Sequence, residues 1–100
     1  MAMFHVVVLR SGPEWRQDRP LEEQSGWEEH AAYMDDLADK GFFVLGGPLA
    51  DEVRVAFAVE AESEEAVRET LAADPWHETH LLIDSIEPWT IRLSRDPRPS

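Results

Sequence analysis

The opening strand signal of this chain is apolar on both sides, and that restricts the architectures open to it. In residues 3–9, Phe4, Val6 and Val8 fall on one face of an extended backbone while Met3, Val7 and Leu9 fall on the other. A strand with one wet face alternates apolar and polar residues, so this one needs cover twice over. Residues 53–61 repeat the pattern, with Val55, Phe57 and Val59 alternating only with Ala56 and Ala58. Helices from the same chain can cover one face. A chain of 100 residues has room for a single core, so the second cover is expected to be the same face of another copy, giving a homodimer by sheet-to-sheet packing.

The rest of the chain supplies the helices. After a strand at 3–10, a long connection over residues 11–24 carries Pro13 and Pro20, long enough to serve as a lid. A helix is expected over 25–40, opened by Ser25 and Glu28 in capping-box spacing and closed by Lys40 and Gly41. A strand at 42–45 ended by Gly46-Gly47-Pro48 pairs with the strand at 53–61 as a hairpin. Ser63 then caps a second helix, with Glu64 and Glu65 in its first turn, which Pro75 stops after Asp74. A last strand spans about 81–93, with Pro88 marking an edge or a bulge. The order βαββαβ is that of an α+β, ferredoxin-like domain over residues 1–93, a four-stranded antiparallel sheet with two helices on one face. The tail at 94–100, with Pro97 and Pro99, is expected to fray.

Composition excludes several function classes. Twenty-one acidic residues against nine basic ones give a formal charge of −12, which repels phosphate backbones and anionic headgroups, so neither nucleic acid nor a membrane is an expected partner. With no cysteine there is no disulfide or thiolate chemistry, and a cytoplasmic location fits. The apolar start, closed by Arg10, lacks a basic region and is too short for a signal peptide or a membrane span.

Two polar residues break the apolar faces of the helices. In the first, Trp27, Ala31, Met34 and Leu37 form a stripe of helical period, and His30 sits inside it. In the second, Val67, Thr70 and Leu71 line one face, which Asp74 continues. An unpaired buried carboxylate is costly, so Asp74 needs a partner or a pocket. His30, with an ordinary pKa of about 6.5, has both protonation states within reach at neutral pH. A core histidine satisfied by backbone is the competing reading; a catalytic role instead predicts that His30→Gln costs less than about 1 kcal/mol of stability. If the two helices run parallel from level starts, the Cα atoms of His30 and Asp74 lie about 13 Å apart, far enough for a substrate to sit between them.

With the His30 helix, the Gly47-Pro48-Leu49 strand exit and the Ala73-Asp74-Pro75-Trp76 helix stop taken together, the chain resembles the YCII-related family of the dimeric α/β-barrel superfamily over roughly residues 3–93. The resemblance implies a dimeric α/β barrel and an active site using the histidine and aspartate that match His30 and Asp74. A few members of the family that the chain resembles are associated with small-molecule chemistry such as dehydrohalogenation or isomerisation. Two readings follow: a cofactor-independent lyase or isomerase moving protons with His30 and Asp74, or a non-catalytic dimeric module that binds a small molecule or assists another enzyme.

Other residues join the candidate site by position. Arg10 ends the first strand on the side where the His30 helix starts, placed to clamp an anionic substrate or to pair with a surface carboxylate. Gly47 and Pro48 leave the sheet at the same end, and Trp15 either covers the pocket or anchors its loop. His77 and His80 have a metal-ligand spacing without a third ligand, and His5 faces either the dimer interface or the pocket. Trp76 and Trp89 are expected in the core or the interface, and Gly46-Gly47 lacks the spacing of a phosphate loop.

Overall fold

The doubly apolar segments do form the centre of a sheet. The computed structural model describes residues 1–95, in the order β1 (Ala2–Leu9), α1 (Trp27–Asp39), β2 (Phe43–Pro48), β3 (Arg54–Ala61), α2 (Glu64–Ala72) and β4 (Leu82–Pro88). The strands lie in the order β2-β3-β1-β4 with every pairing antiparallel, the ferredoxin-like α+β arrangement. The register sets Phe4 opposite Val59, Val6 between Phe57 and Ile86, and Val8 opposite Val55. These side chains share one face, where Val67 and Leu71 of α2 complete the core.

Strand directions settle the helix directions. Because β1 and β2 are each antiparallel to β3, α1 must run back against both. Strands β3 and β4 run opposite to β1, so α2 returns the other way, and the two helices are antiparallel rather than parallel. Contacts between them confirm the sense: His30 meets Asp74, and one turn further along α1 the Tyr33 hydroxyl donates to the Thr70 carbonyl at 2.7 Å. The start of α1 and the end of α2 therefore share one end of the sheet, and the 13 Å separation does not apply.

Local signals hold at some termini and fail at others. The Ser63 hydroxyl accepts from the Ala66 amide at 3.1 Å, and Gly41 takes the left-handed conformation with φ +84° just past α1. Ser25 does not cap α1; the N-cap is Gly26 at φ +73°, and no side chain caps it. Gly46, Gly47 and Pro48 do not end β2 but belong to it, paired with Phe57, Ala56 and Val55. Pro48 and Pro88 are both the last residues of edge strands, where the missing N–H costs least. The last strand thus stops at Pro88, well short of residue 93, and most of the tail expected to fray lies outside the described residues.

The opposite sheet face carries Met3, His5, Val7 and Leu9 of β1, with Ala56 and Ala58 beside them. Leu45 is two-thirds exposed there, and Trp89 meets the His5 ring edge-on at 5.2 Å. Among the described residues no helix is long and apolar enough to cross a membrane.

Candidate functional site

The site begins with the turn that follows α2. Pro75 prevents the helix from continuing, and the Asp74 carboxylate folds back to accept the Trp76 amide at 2.9 Å. Asp74 therefore lies just beyond the helix rather than on its face, aimed across at the first turn of α1. There His30 Nδ1 donates to both carboxylate oxygens, at 2.8 and 2.9 Å. Each residue is only 7% exposed. The Trp76 ring lies flat against the imidazole, with centroids 4.0 Å apart and planes 7° from parallel, so ring plane and hydrogen bond together fix the orientation of His30.

This geometry assigns the tautomer. An ionised Asp74 can only accept, so Nδ1 carries the proton and Nε2 keeps its lone pair. Nε2 has no hydrogen-bond partner among the described residues, and no buried polar side-chain atom is left sealed without one. The imidazole lines a cavity of about 290 Å³, and with Nδ1 turned to Asp74 and no unpartnered side-chain nitrogen sealed off, Nε2 is the ring nitrogen left to face it. Val8, Val55 and Phe57 of the sheet and Trp27, Ala31 and Met34 of α1 form most of its apolar wall. A much smaller void of about 20 Å³ continues past Met34 to Asp74.

Arg10, Gly47 and Pro48 also line the His30 cavity. The Arg10 guanidinium donates to the Glu52 carbonyl at 3.3 Å and lies over the Trp15 ring at 5.5 Å, while the Glu52 carboxylate is 3.9 Å away and exposed. Most of its donors stay available for an anion. Trp15 does not line the cavity; it packs edge-on against Trp76 at 5.8 Å and so supports the wall from behind. Gly47 has open space where a Cβ would project, whereas a Cβ on Gly46 would run into the Phe57 ring.

Residues 3–90 match the YCII-related domain. The chain belongs to this family. No curated protein matches it.

Two features of this YCII-related chain escape sequence reasoning. Gln24 is buried and holds the long connection closed, accepting from the Arg16 amide at 2.8 Å and donating to the Arg16 and Arg19 carbonyls at 2.7 and 3.0 Å. Nothing in the local pattern marks it. Trp76 lies in the core as expected, 1% exposed, and is also the centre of a stack with His30 at 4.0 Å and His80 at 4.6 Å. Its spacing of four from His80 is the only hint. His80 in turn bonds Ser25 and Thr79, while His77 lies 3.4 Å from the Glu78 carboxylate, so the two rings do not converge. Among the described residues no group of three or more His, Asp or Glu is placed to hold a metal ion.

Burial moves two titrations. It depresses the His80 pKa, with the nearby His30 acting in the same direction and the charges of Glu14 and Asp74 opposing it. It raises the Tyr33 phenol, as does the charge of Asp74.

Proposed function

We propose that this YCII-related protein moves protons on a small molecule in a lyase or isomerase reaction. His30 Nε2 is the base and then the acid, Asp74 orients the ring and offsets its positive charge, and Arg10 holds an anionic group of the substrate. The observation that carries this reading is the paired Nδ1–Asp74 contact, which leaves Nε2 as a free acceptor facing a cavity of small-molecule size. Gly47 and Pro48 bound the mouth, and Trp15 holds Trp76 and Arg10 in place. The chemistry asks for no group beyond these side chains, and a cytoplasmic setting suits a chain without cysteine.

The same reading includes a homodimer. Met3, Val7, Leu9 and Leu45 present an apolar sheet face that a second copy covers with the same residues. Sedimentation at micromolar concentration is expected to give twice the chain mass; a stable monomer contradicts this part of the proposal.

Exchange of carbon-bound hydrogen tests the chemistry. Small carboxylates that enolise are incubated with the protein in deuterated water and followed by NMR. Wild type is expected to accelerate exchange, and His30→Gln to lose at least about 100-fold of the acceleration. Binding that depends on Arg10 without any exchange favours the non-catalytic module instead.

A further inference from the structure

We propose that Ser25 is an acyl-accepting nucleophile activated by His80, a second reactive pair outside the His30–Asp74 cavity. The direction of each proton in this cluster follows from its neighbours. The Thr79 hydroxyl donates to the Pro75 carbonyl at 3.4 Å, so its oxygen is left to accept from His80 Nδ1 at 2.9 Å. With its proton on Nδ1, His80 offers a bare Nε2, and the Ser25 hydroxyl 3.0 Å away must be the donor. A hydroxyl bonded to an imidazole lone pair, with a third group orienting the ring, is the arrangement that activates serine.

The surroundings hold the pair in place and leave its oxygen reachable. His80 is 3% exposed and stacks on Trp76 with planes 16° apart, and burial keeps it in the neutral form that can take a proton. Ser25 is exposed, but its backbone is pinned, because the indole N–H of Trp76 donates to its carbonyl at 2.8 Å. Gly26 follows at φ +73°, and a Cβ there would sit 3.2 Å from the Trp76 indole nitrogen. Only glycine makes this sharp turn cheaply, and it puts Ser25 immediately before the first turn of α1, which no side chain caps and whose Trp27 amide donates to the Gln24 carbonyl at 3.3 Å. The carboxylates of Glu28 and Glu29 lie in that same turn and repel phosphoryl and other anionic donors. The donor class is accordingly a small uncharged activated ester.

In the reaction Ser25 Oγ attacks the ester carbonyl as its proton passes to His80 Nε2. The bond to the leaving alcohol then breaks, and that alcohol takes the proton from His80. Water, deprotonated by the same ring, later releases the acid and restores Ser25.

The test uses p-nitrophenyl acetate with the whole chain. Wild type is expected to give a burst of nitrophenolate close to one equivalent, with a single acetyl group mapped to Ser25 by peptide mass spectrometry. Ser25→Ala should abolish the burst, and His80→Asn should slow acetylation at least about tenfold. Since the chain has no cysteine, Ser25→Cys supplies a unique thiol that is expected to react with the same ester at least about tenfold faster than it does when His80→Asn is added. Acetyl groups found on Lys40 or the amino terminus instead of Ser25, or equal thiol rates with and without His80, would overturn the proposal. Circular dichroism identifies any variant that has lost its fold, and the two thiol variants keep the test decisive if Ser25→Ala is among them. Because the readout is acetylation of Ser25, it stands or falls separately from the proton chemistry of His30.

Discussion

Removing the Asp74 carboxylate should cost more stability than any other single truncation at the site. Asp74→Ala strands two donors that are out of reach of bulk water, the His30 Nδ1–H held at 2.8 Å and the Trp76 amide held at 2.9 Å. Each unsatisfied buried donor costs about 1–3 kcal/mol, so the two stranded together are expected to cost about 2–6 kcal/mol. Asp74→Asn keeps one acceptor oxygen and should lose only about 1–2 kcal/mol. The assay is reversible urea denaturation at one fixed protein concentration, with the slope checked for constancy. A double-mutant cycle with His30→Ala should give a coupling of at least about 1.5 kcal/mol. A loss under about 1 kcal/mol for Asp74→Ala, or a coupling near zero, would refute the direct pairing. The same contacts revise the near-neutral expectation for His30→Gln to a loss of about 2 kcal/mol, since the ring fills the space between Asp74 and Trp76.

Acid should act on the fold through His80. Its pKa is depressed when folded, so the unfolded chain takes the proton first; its contribution is complete above about pH 6.5 and is lost as pH falls through the folded value. His80→Phe should flatten that part of a stability-against-pH curve measured by denaturation, and an unchanged slope would contradict the assignment. Gly46→Ala places a methyl group against the Phe57 ring and should cost about 1–3 kcal/mol in thermal or urea unfolding, while Gly47→Ala, with open space beside it, should cost clearly less. Gln24→Leu keeps the volume but strands the Arg16 amide and the Arg19 carbonyl, so limited proteolysis should cut residues 11–24 faster than in wild type.

The fold was legible wherever a local rule and the tertiary demand agreed. Ser63 before two glutamates gives a capped helix because nothing else competes for its hydroxyl, and Phe4, Val6 and Val8 face the core because only that register buries them. Ser25 shows the opposite case: its hydroxyl is within reach of His80, a partner distant in sequence, and the capping box yields to it. Gly46, Gly47 and Pro48 look like a strand end by turn chemistry but sit in an edge strand, where close approach to Phe57 and a missing N–H are tolerated. His30 and Asp74 were readable as polar breaks in apolar faces. Their direct contact was hidden by treating antiparallel helices as parallel, an error that strand order alone corrects. Gln24 and the central place of Trp76 in the stack depend on loops meeting in space, for which residue spacing carries no signal.

The central claim is that Asp74 holds the proton of His30 on Nδ1 and leaves Nε2 bare toward the cavity. Long-range nitrogen–proton NMR of the imidazole rings, recorded at alkaline pH, reads this directly. The account predicts a protonated Nδ1 and an unprotonated Nε2 for His30, with that preference weakened in Asp74→Ala. A His30 ring carrying its proton on Nε2, or a tautomer indifferent to the loss of Asp74, would contradict it.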